Sequence, residues 1–515
     1  MLLQHLIPPG RRAAASRDFS PDALRRRLDE RPFFDVAGNA QVIIDELVAF
    51  NSTPAFRADL LAALDVFYSH AEAVVSRLEM QLATASQPLP PALRNSAQLL
   101  GRILTELGHA YGRAVVWAER TWRLWGYRPT AYVYLVRALD SIARRIALAH
   151  RLHATPPSGA WAAMHELHAI ANRWKLSHRD IYAPRTSAAT TYRRALLLEL
   201  AEPLRMGQGD LRRVQEYVRR FGGSAQLVNL IETRRPDGVF VVDVHRDRAG
   251  TPKAVSPGLD LMRGFLLVTR PLIGRLGRQL AALEKGAHPL QIGLGADASH
   301  AYYRTFLQRL LDSWTGFRHT RGNRTQFRPR AEVVVGLDDA WTFLRQSLEP
   351  PGQSLEPITR PRLDASDWLI LNESPGGYAL RHVEGAIPPV KVGQIVGVRP
   401  RDRAGVRILI VRWIKSEHAT HLDVGLQEPA LSLWPVLIGS PGSDRAHYVR
   451  ALFAPPTPRF NRVPALIAPA RVVRAQRILA VRSLHQQFHV RVLRVLDSTQ
   501  HLDIHQATIL AGTSS

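Results

Sequence analysis

A chain of 515 residues is too long for one hydrophobic core, so several domains are expected. Its apolar fraction of 46% is that of a folded chain, no run of about 18 apolar residues offers a membrane span, and the lack of cysteine excludes disulfides and thiolate metal sites. The formal charge of +24 comes almost wholly from arginine scattered through every segment, which suits small phosphorylated ligands and leaves a polynucleotide surface as the alternative reading.

Residues 1–19 read as a leader. Pro8-Pro9 follows its short apolar start and no basic segment precedes it, so it is not read as a signal peptide, and a cytoplasmic chain is expected. Ser20-Pro21-Asp22 is a helix start, with Ser at the N-cap, Pro at the first position and an acid in the first turn. Residues 20–222 predict an all-α domain of roughly seven to nine helices. Leu60, Leu61, Leu64, Phe67 and Tyr68 form one apolar stripe, and Leu99, Leu100, Ile103, Leu104, Leu107 and Tyr111 form another. Tyr132, Leu135, Leu139, Ile142 and Ile146 mark a third, and further helices are expected over Gly159–Lys175, Ser187–Leu204 and Gly209–Phe221. Trp117, Trp122 and Trp125 are expected to pack into this helical core.

At Gly222-Gly223 the texture changes. Residues 223–318 combine a strand signal over Asp237–Val244 with helical stripes at Leu272–Leu283 and Tyr302–Trp314, a mixed α/β connecting region that either ends the helical domain or stands alone. From Ala331 the reading is mostly β. Candidate strands are Glu332–Val335, Trp368–Leu371, Tyr378–Val383, Gln394–Arg399, Arg407–Ile414 and Leu422–Leu426, separated by Gly and Pro clusters as in a small antiparallel barrel over 319–429. A helix over Asp338–Leu344 and a Pro-rich insert interrupt it. Residues 430–515 add a C-terminal β extension with alternation over His489–Leu496. The fold class is therefore α+β multidomain: an all-α N-terminal module, then an antiparallel barrel with a β extension.

One stretch carries the chemistry. In Leu369–Arg381, LILNESPGGYALR, two apolar runs flank a polar turn made of Asn372, Glu373, Ser374, Pro375, Gly376 and Gly377. Asn372 and Ser374 are two apart and face one side of extended backbone, and Gly377 allows a flat ligand to approach the main chain. Upstream, Arg324-Thr-Gln-Phe-Arg328 lies directly before the first candidate strand. Asn372-x-Ser374-x-x-Gly377 together with this R-x-x-x-R pair resembles the motif set of PilZ domains, bacterial receptors for cyclic di-GMP. The resemblance implies a β-barrel that binds cyclic di-GMP, with no cofactor, through Arg324, Arg328, Asn372, Ser374 and Gly377, and with Arg330 and Gly376 as secondary candidates. Val392-Gly393 before one strand and Asp423-Val424-Gly425-Leu426 in the last extend it. The distance between Arg328 and Asn372 exceeds what such domains usually have.

The residue types suit that ligand. Arginine's planar fork meets guanine O6 and N7 together, stacks on purine faces and pairs with phosphate. A signalling receptor is expected, and the linker position of the arginines suggests its switch: ligand bound at the linker–barrel junction draws Arg324 and Arg328 onto the barrel and reorients the helical module towards an unidentified protein partner. The segment Arg318–Arg330 is expected to be mobile until it closes over the ligand.

Other signals point elsewhere. Gly293-Leu294-Gly295 lacks the Gly-Lys-Ser/Thr ending of a phosphate loop. Asp243, His245 and Asp247 are expected on a polar strand face without a metal. His150 with His153, and His165 with His168, are expected on ordinary helix surface. With no convergent acid/base set, an enzyme is not expected.

Overall fold

The computed structural model describes residues 17–510 apart from 31, 33, 84–87, 126–127, 183–184, 230–236, 253–263, 317–328, 349–362, 375, 385–388, 404, 419–420, 431, 443–447, 457–459, 461–462 and 484–485. Its N-terminal module is built from α1 (Pro21–Leu28), α2 (Val36–Asn51), α3 (Leu61–Gln81), α4 (Pro91–Trp125), α5 (Arg128–Arg151), α6 (Ala160–Arg173), α7 (Ala188–Leu200) and α8 (Gln208–Phe221). The stripes read from the sequence become its interior, with Leu64, Phe67, Ile103, Leu104, Leu135 and Leu139 all buried. Residues three and four apart share a helix face, so one apolar row is enough to orient each helix. Ser20 stands at the α1 N-cap, but its hydroxyl donates to Asp18 Oδ2 at 3.0 Å and leaves the helix uncapped by that side chain. Trp117 packs half-buried against the core, while the Trp122 and Trp125 side chains lie outside the described residues.

A four-stranded antiparallel sheet follows, made of β1 (Gln226–Asn229), β2 (Val239–Asp243), β3 (Thr251–Pro252) and β4 (Gly264–Val268) in the order β1-β4-β2-β3. Helices α9 (Arg270–Glu284) and α10 (Ala301–Thr315) complete the region. One apolar core runs from Phe19 through to Trp314, so this mixed segment shares the interior of the helical module. Trp314 is fully buried and its indole N–H donates to the Leu197 carbonyl of α7 at 3.0 Å.

The remainder is two barrels. The first holds β5 (Arg330–Val335), β6 (Ser366–Ser374), β7 (Gly377–Glu384), β8 (Ile395–Pro400), β9 (Arg407–His418) and β10 (His421–Gln427), with α11 (Leu337–Leu348) between β5 and β6. It closes in the order β5-β6-β7-β10-β9-β8. The segment expected as a β extension is a second closed barrel: β11 (Trp434–Gly439), β12 (Val449–Ala454), β13 (Ala465–Pro469), β14 (Ile478–Arg482), β15 (Gln487–Ser498) and β16 (Leu502–Ile509). Its order is β11-β12-β13-β16-β15-β14. Counted from its own first strand, each barrel runs first, second, third, sixth, fifth, fourth.

Alternation sets what each strand buries. Trp368, Ile370, Tyr378 and Leu380 fill the first barrel with Val398, Val411, Val424 and Leu426, while the intervening residues face out. Helix α11 is clamped between the barrels. Its Trp341 and Phe343 share a core with Ile395 and Ile410 of the first barrel and Leu452 and Ile504 of the second, and the Trp341 indole donates to the Val436 carbonyl at 3.0 Å. The helical module touches both barrels through hydrogen bonds from Ser416 N–H to the His153 carbonyl (2.9 Å) and from the Gln500 carboxamide to Asp210 Oδ1 (3.1 Å). Among the described residues no helix is long and apolar enough to cross a membrane.

Candidate functional site

The stretch that carries the motif forms one hairpin. Asn372, Glu373 and Ser374 belong to the end of β6, not to the turn expected from the sequence, and Ser374 pairs directly with Gly377 of β7. The apolar run extends further than its hydrophobic residues because the β6–β7 ladder continues to that pair, past an irregularity between Ile370 and Asn372. The Ser374 hydroxyl donates to the Gly377 carbonyl at 3.2 Å and locks the hairpin end.

Register places the two polar side chains side by side on the outer face. Asn372 pairs with Ala379, which pairs with Gly425, which pairs with Trp413. Ser374 pairs with Gly377, which pairs with Gln427. Two adjoining rows thus present a carboxamide, a hydroxyl and a run of small residues, bounded by an indole. The patch is flat for a steric reason. A Cβ on Gly377 would lie 2.9 Å from the Leu426 carbonyl carbon and 3.0 Å from Gln427 Cα, and one on Gly425 would fall inside the Trp413 ring. Only glycine lets β10 and the indole come this close. Among the described residues the Asn372 side chain makes no hydrogen bond, so its donors and acceptor are available to a ligand.

The third row is charged. Arg330, Leu369, Arg381, Asp423 and Lys415 follow one another across the strands. Arg381 binds Asp423 with two bonds of 2.7 and 2.8 Å. Arg330, expected in the mobile linker, is instead the first residue of β5, and its guanidinium donates to Asp367 Oδ2 at 2.8 Å. At the hairpin end Arg403 grips both oxygens of Glu373, at 2.9 and 3.0 Å. Arg407 spans the buried carboxylate of Glu428, Glu373 and the Tyr378 hydroxyl. Burial pushes the Tyr378 phenol up, partly offset by Arg407, so it stays a neutral hydroxyl. Arg330, Arg381, Arg399, Arg403 and Arg407 all have carboxylate partners, so these barrel cations are not an open polyanion surface.

Arg324 and Arg328 lie outside the described residues. What is described is where the chain enters the barrel. The carbonyl of Pro329 accepts the Ile370 N–H at 3.0 Å, on β6 and two residues from Asn372. Arg381, Arg407 and Trp413 were not anticipated as site neighbours, because only strand register brings them to the hairpin.

Residues 354–430 match the family model described as the middle PilZ domain of the cyclic-di-GMP receptor FimW. The first barrel carries a PilZ domain. Residues 22–233 match the N-terminal domain of the same receptor, which covers much of the helical module. A curated relative, the cyclic-di-GMP receptor FimW of Pseudomonas aeruginosa, is 23% identical over 527 aligned positions, spanning 88% of this chain and 84% of the relative. No solved structure is a significant match. The PilZ match takes in β6 to β10 and begins after β5 and α11, the part of the barrel where the sequence spacing is unusual.

The remaining signals have structural explanations. Asp247 accepts N–H groups from Trp161 and Ala162 at 2.9 and 3.0 Å and caps α6, and Asp243 accepts the His245 N–H at 3.0 Å. Among the described residues no cluster of metal-ligating side chains occurs. His150, His153, His165 and His168 are buried rather than on open helix surface. His150 bonds Glu199 at 2.7 Å, and His165 bonds the Tyr192 hydroxyl at 2.6 Å, since α7 and the sheet cover faces that the sequence left open.

Proposed function

We propose that the protein is a cyclic di-GMP receptor that binds the ligand on the outer face of its PilZ barrel. Asn372 and Ser374 supply the carboxamide and hydroxyl for guanine polar edges, and the glycine-lined patch beside Trp413 admits a planar base. Arg324 and Arg328 come from the segment before Pro329 and take the Hoogsteen edge and the phosphates. The reading rests on one observation: the chain joins the barrel at Ile370, on the strand and at the end that carries Asn372. Gly377 serves the patch indirectly, by letting the β10 seam close beneath it.

Calorimetry with purified protein tests this. We expect saturable binding of cyclic di-GMP, lost in Arg328→Ala and weakened at least tenfold in Asn372→Ala. Full affinity in both variants, or equal binding of a linear guanine dinucleotide, would reject the site. The ligand's role is to shift the orientation of the barrel against the helical module, a surface for a protein partner in the cytoplasm. It does so only by binding the closed form more tightly than the open one. Scattering profiles that are identical with and without ligand would remove the coupling and leave passive binding.

A further inference from the structure

A second recess lies on the helical module, away from the barrel patch. It is a groove of about 650 Å³ between α4 and α5, with Ser416 of β9 also in its lining. Its α4 wall is the row Ala97, Gly101, Thr105, four residues apart. Small side chains in an i, i+4 row leave a channel of the width that a ridge of another helix fills. Leu148 of α5 and Leu152 just beyond its end form the opposite wall. A Cβ on Gly101 would meet only Leu148 Cδ2, at 3.7 Å, so the channel is open rather than filled by the protein's own core.

The rim is cationic. Arg94, Arg102 and Arg145 line the groove, and among the described residues none of them pairs with a carboxylate. Among the described residues Arg94 donates only to the Leu89 carbonyl, at 3.2 Å. Arg145 is half-buried, and burial alone lowers its pKa. The same helix satisfies its arginines elsewhere: Arg137 pairs with Asp65, and Arg144 with Glu72 and Glu79. Glu106, which also lines the groove, is buried and takes a hydrogen bond from Asn51 at 2.9 Å. Positive charge is therefore left unmatched along a channel floored by small and apolar side chains. The chain's own leader carries Arg11, Arg12 and Arg17 and has the wrong sign to occupy it.

We propose that this groove docks an amphipathic α-helix of a partner protein, with small or apolar residues along its buried stripe and Asp or Glu on both flanks. The partner helix would abut Ser416 at the tip of the PilZ barrel's β9. The proposal stands apart from ligand binding, and titrating the same variants with cyclic di-GMP separates the two.

The probe is a fluorescein-labelled helical peptide with an Ala/Leu stripe at i, i+4 spacing and Glu on both flanks, read by anisotropy against the full chain. Its control has Lys in place of Glu. We expect saturable binding of the Glu peptide only. Affinity should fall at least tenfold in Arg102→Glu/Arg145→Glu and, by filling the channel, in Gly101→Leu. Both variants should keep wild-type circular dichroism and cyclic di-GMP affinity. Equal binding of the two peptides, or unchanged affinity in the charge-reversed variant, overturns the proposal. So does a dimer in sedimentation that Gly101→Leu dissolves, because that assigns the groove to a second copy of the chain.

Discussion

Adjacent glycines in the hairpin should respond oppositely to the same substitution. At Gly377 an added methyl meets backbone, running into the Leu426 carbonyl oxygen first and then lying 2.9 Å from its carbon and 3.0 Å from Gln427 Cα. Carbon contacts are relaxed at about 3.5–4.0 Å. The two strands must therefore part by roughly an ångström or more. That strains the pairs Gly377–Gln427 and Tyr378–Leu426, which close β7 onto β10. Overpacking costs about 1–3 kcal/mol. Each weakened hydrogen bond adds about 1 kcal/mol. We expect Gly377→Ala to lose about 3 kcal/mol in urea unfolding and to speed amide exchange in β7 and β10 first. At Gly376 nothing lies within 4 Å of the added atom, so Gly376→Ala should stay within about 0.5 kcal/mol of wild type. Wild-type exchange in β10 of Gly377→Ala would refute the seam argument. Loss of ligand by that variant would reflect a sprung barrel, so contact with the ligand must be judged from Asn372→Ala.

Two further outcomes follow from buried charge. Arg407→Met strands the Glu428 carboxylate, now held by bonds of 3.2 and 2.8 Å, and should cost about 3 kcal/mol; adding Glu428→Gln should recover part of it, and a double variant no more stable than the single one would refute the pairing. Burial holds the His153 pKa down to about 4 against an ordinary value of 6.5, so the neutral ring's contribution is complete above pH 6.5 and is lost as pH falls towards 4. His168 is shifted the same way to about 4 by burial. Melting temperature should drop across that window, and His153→Asn, which tolerates the backbone φ of 52°, should flatten its share of the slope; an unchanged slope would refute the assignment.

The first barrel was legible because strand alternation and turn residues are local. Five of the six candidate strands in it lie within observed ones, Gln394–Arg399 begins one residue ahead of β8, and the helix expected over Asp338–Leu344 lies within α11. What stayed hidden depends on distant pairing. Alternation over His489–Leu496 announces a strand, but closure needs β11 to meet β14, a fact of register that the local pattern does not contain. The buried histidines follow the same logic: helical spacing gives a face, and only α7 and the β4 residue Phe265 decide that His165 and His168 are covered. Glycine at Gly377 was readable as a requirement for space, but the occupant of that space is Leu426 of β10. That Asn372 and Ser374 share a face was readable from their spacing, since two apart on extended backbone means one side whichever element is named.

The two barrels share a strand order yet divide the work. In the first, second and third strands are joined through Ser374 and Gly377, a connection tight enough to hold Asn372 and Ser374 at a fixed edge. In the second, the corresponding strands end and begin at Ala454 and Ala465, and the sequence between them has no N-x-S-x-x-G. Its β15–β16 tip is used for contact instead. Thr499 donates to the Gly393 carbonyl of the first barrel at 3.0 Å, while Gln500 reaches Asp210 of α8 at 3.1 Å. Asp497 accepts Arg412 of β9 at 3.2 Å and faces Arg309 of α10 at 3.8 Å. The first barrel therefore cannot turn against the helical module without breaking either its bonds to the second barrel or, with that barrel carried along, the second barrel's bonds to α8 and α10. At about 1 kcal/mol each they form a latch of a few kcal/mol, a size that the differential affinity of one small charged ligand can match.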